Sequence, residues 1–331
     1  MTARWLKLRE VQLAVILALL VALIGLRAPV FVSAKSLDSL FTDSAILVMM
    51  ALAQMLVILT RGIDLSVAAN LALCGMAVAL LGQKMPGLPV GVLIAAGVAL
   101  GAVLGSINGL LIGVLRLPAI VVTLGSMSVF RGAIFVLSKG AWVSSHQMTR
   151  DFIDFPLART FGLTHLVWFA VAAVLVAAFV TRHTRFGREL YAIGNHPVSA
   201  GYVGVPLRPR LFAVYAISGA VAGLCGYLWV ARYAVAFTEI AQGFELNVIA
   251  ACVIGGISIA GGVGSVAGAL LGALFLGVIG NALPIVQVSP FWQSAITGTV
   301  IVVAVVVNAR EGRRAGKQIL PLHGAARGGS A

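Results

Sequence analysis

Long apolar runs dominate this chain, and the feature that most limits its fold is a charged interruption between two of them. Residues 45–58 and 67–81 are largely apolar, and between them stands Leu59-Thr60-Arg61-Gly62-Ile63-Asp64-Leu65-Ser66. A charged side chain in hydrocarbon costs about 2.5–3.5 kcal/mol on insertion scales, so it persists only where water, a partner or a function receives it. A glycine-interrupted hydrophobic segment is the mark of a broken membrane helix lining a substrate path. The same residues also suit a tight turn at the membrane surface, with Arg61 and Asp64 as an interfacial ion pair.

The chain has 331 residues, 60% hydrophobic and only 10% charged. A soluble domain carries about 25% charge, so this one cannot cover a water-facing surface. Unbroken apolar runs, rather than two-residue alternation, indicate helices and not a barrel. The expected fold is all-α: one polytopic transmembrane domain over residues 1–331, with about ten membrane helices, some of them broken. The net charge of +13 is explained by cationic inner loops rather than by nucleic acid. Starting inside, ten crossings place 15 of the 23 Lys and Arg on the inner side and 8, including a poorly placed Arg131, on the outer side, so both termini are expected in the cytoplasm. Cys74, Cys225 and Cys252 lie in apolar runs without metal-ligand spacing and are expected to pack in the core.

Along the chain, residues 11–26 read as a retained first helix rather than a signal peptide, and 27–43 as an outer loop. Spans are expected over 44–59, 65–81, 90–115, 119–137, 165–180, 211–230, 246–259, 266–283 and 291–307. Gly101, Gly105, Gly109 and Gly113 put one small face along the 90–115 span, suited to close packing. Residues 139–164 read as a long polar loop. The basic segment within 182–210 reads as the main cytoplasmic loop, and 309–331 as a basic cytoplasmic tail. The 246–259 span is short, and a glycine-rich run with Gly255, Gly256, Ser258, Gly261 and Gly262 follows it. Residues 57–81 and 253–276 share an order of apolar run, polar break and small-residue helix. Paired breaks of this kind point to a binding or gating region near mid-membrane.

No phosphate-binding loop, zinc-protease motif or nucleophile elbow is present. The series of intramembrane carboxylates expected of a proton relay is missing too, Asp64 being the only acid well inside the spans. These absences disfavour an intramembrane enzyme and leave an ion-driven carrier with few ligands.

Four motifs carry a resemblance. Gly62-Ile63-Asp64-Leu65-Ser66-Val67, Leu117-Pro118-Ala119-Ile120-Val121-Val122-Thr123-Leu124-Gly125, Gly187-Arg188-Glu189-Leu190-Tyr191-Ala192-Ile193-Gly194-Asn195, and the block from Glu245-Leu246 to Gly264-Ser265 stand in this order. Together they resemble the permease subunits of bacterial sugar ABC importers, in the ribose, rhamnose and autoinducer-2 branch. Departures from the usual pattern fall at Arg61, Ala68 and Asn247 and over residues 196–200. The variants at 61 and 68, with Ala69-Asn70-Leu71-Ala72-Leu73, look more like the rhamnose type.

The resemblance implies an inner-membrane subunit that pairs with a second permease, identical or related. Two ATP-binding cassette domains would join it inside and a periplasmic sugar-binding protein outside. It would bind no cofactor itself, ATP and Mg belonging to the partner ATPase. Arg188, Glu189, Gly194 and Asn195 would form the ATPase coupling element, with the two acidic and basic side chains as docking contacts. A path for a neutral sugar should be polar but weakly binding. Its candidates are Ser66, Asn70, Asn108, Thr123 and Asn247, with Gly62, Gly255, Gly256, Ser258, Gly261 and Gly262 at the breaks. Asp64 is expected to hold the broken helix, by capping the next helix start or by pairing with Arg61. An ion-coupled sugar carrier and a non-transporting membrane anchor are the rival readings.

Overall fold

A computed structural model gives the fold of residues 9–285, with isolated positions at 292, 295, 298, 299 and 302. Apart from those positions, the expected 291–307 span, the basic tail and the first eight residues lie outside the described part. The order is α1 (Arg9–Arg27), α2 (Ala34–Leu59), α3 (Val67–Lys84), α4 (Val90–Gly109), α5 (Ala119–Ser138), α6 (Arg150–Asp154), α7 (His165–His183), α8 (Arg185–Asn195), α9 (Pro197–Tyr202), α10 (Leu207–Tyr233), α11 (Phe244–Ile254) and α12 (Val266–Ile285). Two-residue strands β1 (Val143–Ser144), β2 (Arg159–Thr160), β3 (Leu163–Thr164) and β4 (Val235–Ala236) pair antiparallel as β1 with β4 and β2 with β3. The chain is an all-α integral membrane protein. Among the described residues eight helices are long and apolar enough to cross a membrane, and α11 is a shorter ninth.

Helix α2 is the axis of the bundle. Every residue from 44 to 60 is buried, although this is one of the most apolar stretches of the chain. In lipid such a helix could face hydrocarbon at no cost. Here it is wrapped by α7, α10, α11 and α12 instead. It also begins ten residues before the expected span, because Ser33 accepts a hydrogen bond from the Ser36 amide and caps its start. The charges that made 34–43 read as a loop sit on the end of this helix, where water reaches them. Asp38 pairs with Arg159 at 2.5 Å, and Asp43 with Arg232 at 2.9 Å.

The expected 139–164 loop folds into β1, α6 and the β2–β3 hairpin. It is tied down by Phe152, which packs edge-on against Tyr227 while the Tyr227 hydroxyl donates to the Phe152 carbonyl. The cysteines are buried in α3, α10 and α11, as their apolar context implied.

The small face of α4 meets α10 backbone to backbone. A Cβ at Gly97 would lie 2.9 Å from the Gly223 carbonyl oxygen, and one at Gly101 would lie 2.8 Å from the Gly223 Cα while striking the Gly219 carbonyl. Gly105 meets the Tyr215 carbonyl in the same way. This is the close packing that small residues allow where no hydrophobic effect drives helices together.

We expect Gly101→Ala to destabilise the purified protein by about 1–3 kcal/mol, since the added methyl has only backbone to displace. Gly91→Ala, on the same helix but facing open space, should be neutral or stabilising by up to about 1 kcal/mol. Thermal unfolding in one detergent compares the two, and equal melting temperatures would contradict this packing.

Candidate functional site at the two helix breaks

The first break ends α2 at Thr60, whose hydroxyl donates to the Val57 carbonyl. Arg61 then takes a left-handed conformation, with φ of 67°. That turn sends its side chain out of the bundle axis toward α8. Arg61 Nε donates to the Gly194 carbonyl at 2.7 Å and Nη2 to the Asn195 carbonyl at 2.8 Å. The guanidinium thus closes the C-terminal end of α8, where orphan carbonyls and the helix dipole both favour a cation. The expected Arg61–Asp64 ion pair is therefore not formed. The geometry of the turn points the two side chains at different partners.

Asp64 is buried and holds the start of α3 instead. Its Oδ1 accepts from the Ser66 amide at 2.9 Å and the Ser66 hydroxyl at 2.6 Å, and its Oδ2 from the Ser218 hydroxyl at 3.4 Å. The network continues outward. Asn108 Nδ2 donates to Ser66 Oγ at 2.9 Å, and Ser126 Oγ donates to Asn108 Oδ1 at 2.5 Å. Thr123 donates to the Ile63 carbonyl at 3.2 Å as well as to its own helix at Ala119. Asn70 donates to the Gly101 carbonyl and accepts from Cys74 Sγ. Five of the sequence candidates, Asp64, Ser66, Asn70, Asn108 and Thr123, thus meet in one buried seam among α3, α4, α5 and α10. In this conformation their hydrogen bonds go to neighbouring helices, not to an open channel. Asn247 is not part of this cluster; it is half-buried on α11.

The second break joins α11 to α12. Gly256, Gly261 and Gly262 have φ of 80°, 85° and 72°, a region that disfavours side chains. Residues 258–263 form a tight turn closed by Ser258 N donating to the Val263 carbonyl. The Gly262 amide then donates to the Leu59 carbonyl at 3.0 Å. The two breaks therefore touch. They do so beside α8, at the C-terminal end of α2, which has 26 residues and is about 39 Å long at 1.5 Å per residue.

Helix α8 completes the site. Gly194 fits against the Leu59 carbonyl and the Gly262 amide, with no room for a Cβ. Tyr191 Oη donates to the Gly264 carbonyl at 3.0 Å. Glu189 faces inward, held by Arg185 at 2.8 Å and, more closely, by Arg210 of α10. It is a tie to α10 and not the outward contact expected of it; Arg188 is the exposed one. The Arg210 hydrogen bond, against the opposing effect of burial and with help from Arg185, keeps the Glu189 carboxyl below the ordinary carboxylate range. That tie is intact at neutral pH and down to the ordinary value of about 4.3. It is lost only as pH falls further, through the lowered value.

A further polar feature lies toward the opposite end, and sequence reasoning missed it. Arg131 of α5 donates from Nη1 to the Ile240 carbonyl at 2.7 Å and from Nη2 to the Ala241 carbonyl at 3.1 Å. It pins the 234–243 segment that leads into α11. Ser128, Arg131, Glu239, Gln242 and Glu245 line a cavity of about 320 Å³ there. Glu245 Oε2 is buried in it without a hydrogen-bond partner among the described residues. A lone arginine within an apolar span, with two glutamates in a later loop, was the available signal.

The sequence matches the family described as branched-chain amino acid transport system / permease component over residues 36–305. It is 35% identical over 295 residues to the autoinducer 2 import system permease protein LsrC of Enterobacter sp. (strain 638), covering 89% of this chain and 84% of that protein. It is 36% identical to the D-allose transport system permease protein AlsC of Escherichia coli (strain K12), covering 88% and 89%. It is 34% identical to the ribose import permease protein RbsC of the same strain, covering 94% and 96%. No solved structure matches the chain.

Removing the Arg61 clamp takes away two charge-assisted hydrogen bonds, each worth about 1.5–3 kcal/mol. Arg61→Gln should therefore raise amide hydrogen exchange at residues 188–196 at least tenfold while leaving the α4–α10 core unchanged. Equal exchange in variant and parent would show that the clamp does not hold α8.

Proposed function

Because the chain belongs to the branched-chain amino acid transport system permease family, and its relatives are named for ribose, D-allose and autoinducer 2 import, we propose that it is the transmembrane permease subunit of an ATP-driven importer for a monosaccharide or similar small polyhydroxylated solute. The carrying observation is the junction at which both helix breaks and α8 meet. A protein that hydrolyses no ATP itself needs a lever reaching from the engine to the membrane. Here α8 is tied to α2 through Arg61, to α10 through Glu189 and to the second break through Tyr191.

In this reading the α8 end faces the cytoplasm of a bacterial inner membrane. A single domain spans 1–331, with α8 and α9 within the 182–210 coupling segment and the 309–331 tail inside. Arg188 contacts one of two ATP-binding cassette domains. Glu189, Gly194 and Asn195 pass the motion on. A second permease subunit, homo- or heterodimeric, encloses the path, and a periplasmic binding protein docks at the opposite end. Gly62, Asp64, Ser66, Asn70, Asn108 and Thr123 form the joint beside the path, with Gly255, Gly256, Ser258, Gly261 and Gly262 as its second half, and Asn247 faces the path from α11.

The cavity at Arg131 suits such a solute. Glutamate and glutamine oxygens accept from hydroxyl groups, and the guanidinium and amide donate to them. Within the substrate class, the variants at Arg61 and Ala68 favour a rhamnose-type sugar; uptake of labelled rhamnose, ribose and allose by one reconstituted complex ranks them.

We expect proteoliposomes carrying the permease pair, its ATPase and its binding protein to accumulate labelled sugar only with ATP. Asp64→Ala should lower uptake at least a hundredfold while the complex still assembles and the binding protein still binds sugar. Uptake driven by an ion gradient without the ATPase would establish the secondary carrier instead, and full uptake by the Asp64 variant would remove the joint from the mechanism.

A further inference from the structure

A cavity of about 510 Å³ opens at the α8 end, and three arginines, Arg61, Arg116 and Arg208, line it. Its size falls within the range of about 300–1,000 Å³ typical of small-molecule sites. Arg116 and Arg208 are exposed and form no hydrogen bond or ion pair with any described residue. Arg61 uses Nε and Nη2 on α8, and its Nη1 has no hydrogen-bond partner among the described residues. No acidic side chain stands in the lining. Asp64, on the same break, is taken up by Ser66 and Ser218.

The wall holds a second, independent sign of a ligand. Tyr215 lines the cavity with its ring wholly buried, and its hydroxyl has no hydrogen-bond partner among the described residues. A buried hydroxyl without a partner costs about 1–3 kcal/mol. A visiting oxygen would relieve that cost. The backbone around the cavity is also unusual. Arg116 is left-handed, with φ of 59°, as Arg61 is. The preceding turn, Leu110–Val114, is π-helical, a form found mostly as single turns at functional sites.

We propose that this cavity, beside the joint at the α8 end, is a binding site for a phosphate group. Three guanidinium groups, each a planar fork of donors, with no carboxylate in the lining match an anionic phosphate better than they match a neutral sugar. The rest of the lining is mainly apolar, with Ile112, Leu117 and Leu211 beside the arginines. Two sources carry this chemistry: an anionic phospholipid headgroup at the membrane surface, or a phosphorylated sugar in solution. Either would brace Arg61 and so bear on the joint at α8. The site itself depends on the arginines and Tyr215, and not on the direction or substrate of transport.

The test uses the full chain purified into nanodiscs, as parent and as the double variant Arg116→Gln/Arg208→Gln. In neutral phosphatidylcholine, glucose 6-phosphate binding is read by equilibrium dialysis and by amide-exchange protection at residues 110–119 and 207–215, with glucose as control. In discs containing phosphatidylglycerol, retained lipid is counted by native mass spectrometry. Binding of glucose 6-phosphate but not glucose, lost at least tenfold in the double variant, establishes a soluble phosphate ligand. Retention of phosphatidylglycerol by the parent, at least tenfold above the double variant, establishes a lipid ligand. Tyr215→Phe, which keeps the ring in place, should weaken whichever binding is seen by threefold or more without lowering the melting temperature. If parent and double variant hold both probes equally, or glucose binds as well as its phosphate, the proposal is overturned.

Discussion

Inside a membrane every backbone N–H and C=O must find its partner within the protein. An unbroken helix meets that demand alone; a broken one must borrow. This chain breaks α2 from α3 and α11 from α12, and each break supplies what the other lacks. The Leu59 carbonyl, freed where α2 stops, receives the Gly262 amide from the second break. The carbonyls freed where α8 stops receive the Arg61 guanidinium from the first. Three chain ends become one junction, and glycine at 194 and 262 lets them approach to backbone contact. Any one of them moved alone would leave a buried group unpaired, at about 1–3 kcal/mol each.

That demand explains what became of the polar residues within the spans. The amide of Asn108 and the hydroxyls of Ser66, Thr123 and Ser126 have the chemistry of sugar contacts. They also have the chemistry of interhelical ties, and in this conformation they serve as the latter. A group with two partners must release one before it touches a solute. Among the described residues, groups with unused hydrogen-bonding capacity at a cavity include Glu245 Oε2 beside Arg131, and the Tyr215 hydroxyl with Arg116 and Arg208 at the α8 end. Ligand chemistry is better sought where capacity is free than where polar residues are merely conspicuous.

The helices themselves were plain in the sequence, because a 20-residue apolar run in a charge-poor chain has few other fates. So was the α4 face, since a glycine every four residues reads directly as a contact stripe. What composition hid was depth and direction. Charge made 34–43 look like loop, yet a capped helix carries its charges past the lipid. The hydrophobicity of 246–259 suggested a short full crossing, yet α11 begins at Phe244 and already stops at Ile254, where the glycine-rich turn takes over. The Arg61 turn was legible as a break, but not its partner. A left-handed φ at one residue decides whether a side chain meets Asp64, three positions on, or Gly194, more than a hundred away. Pairing at that separation is a property of the packed bundle and leaves no local trace in sequence.

The same arrangement constrains how the protein can move. Helices α4 and α10 meet through glycine backbone, so there is no side chain between them to change rotamer, and they must travel as one body. Helix α8 is joined to that body by the Glu189–Arg210 pair, which stays charged at any physiological pH. It is joined to the buried axis α2 by Arg61. A push on α8 therefore reaches the α4–α10 body and the α2 axis together. The turns at 60–66 and 255–265, where the helices break, carry no continuous helix to stiffen them. Interfaces packed this tightly are bistable rather than elastic. In the proposed reading, a push on α8 would turn the α4–α10 body against α2 about such turns, and the three hydrogen bonds of Asp64 would oppose it.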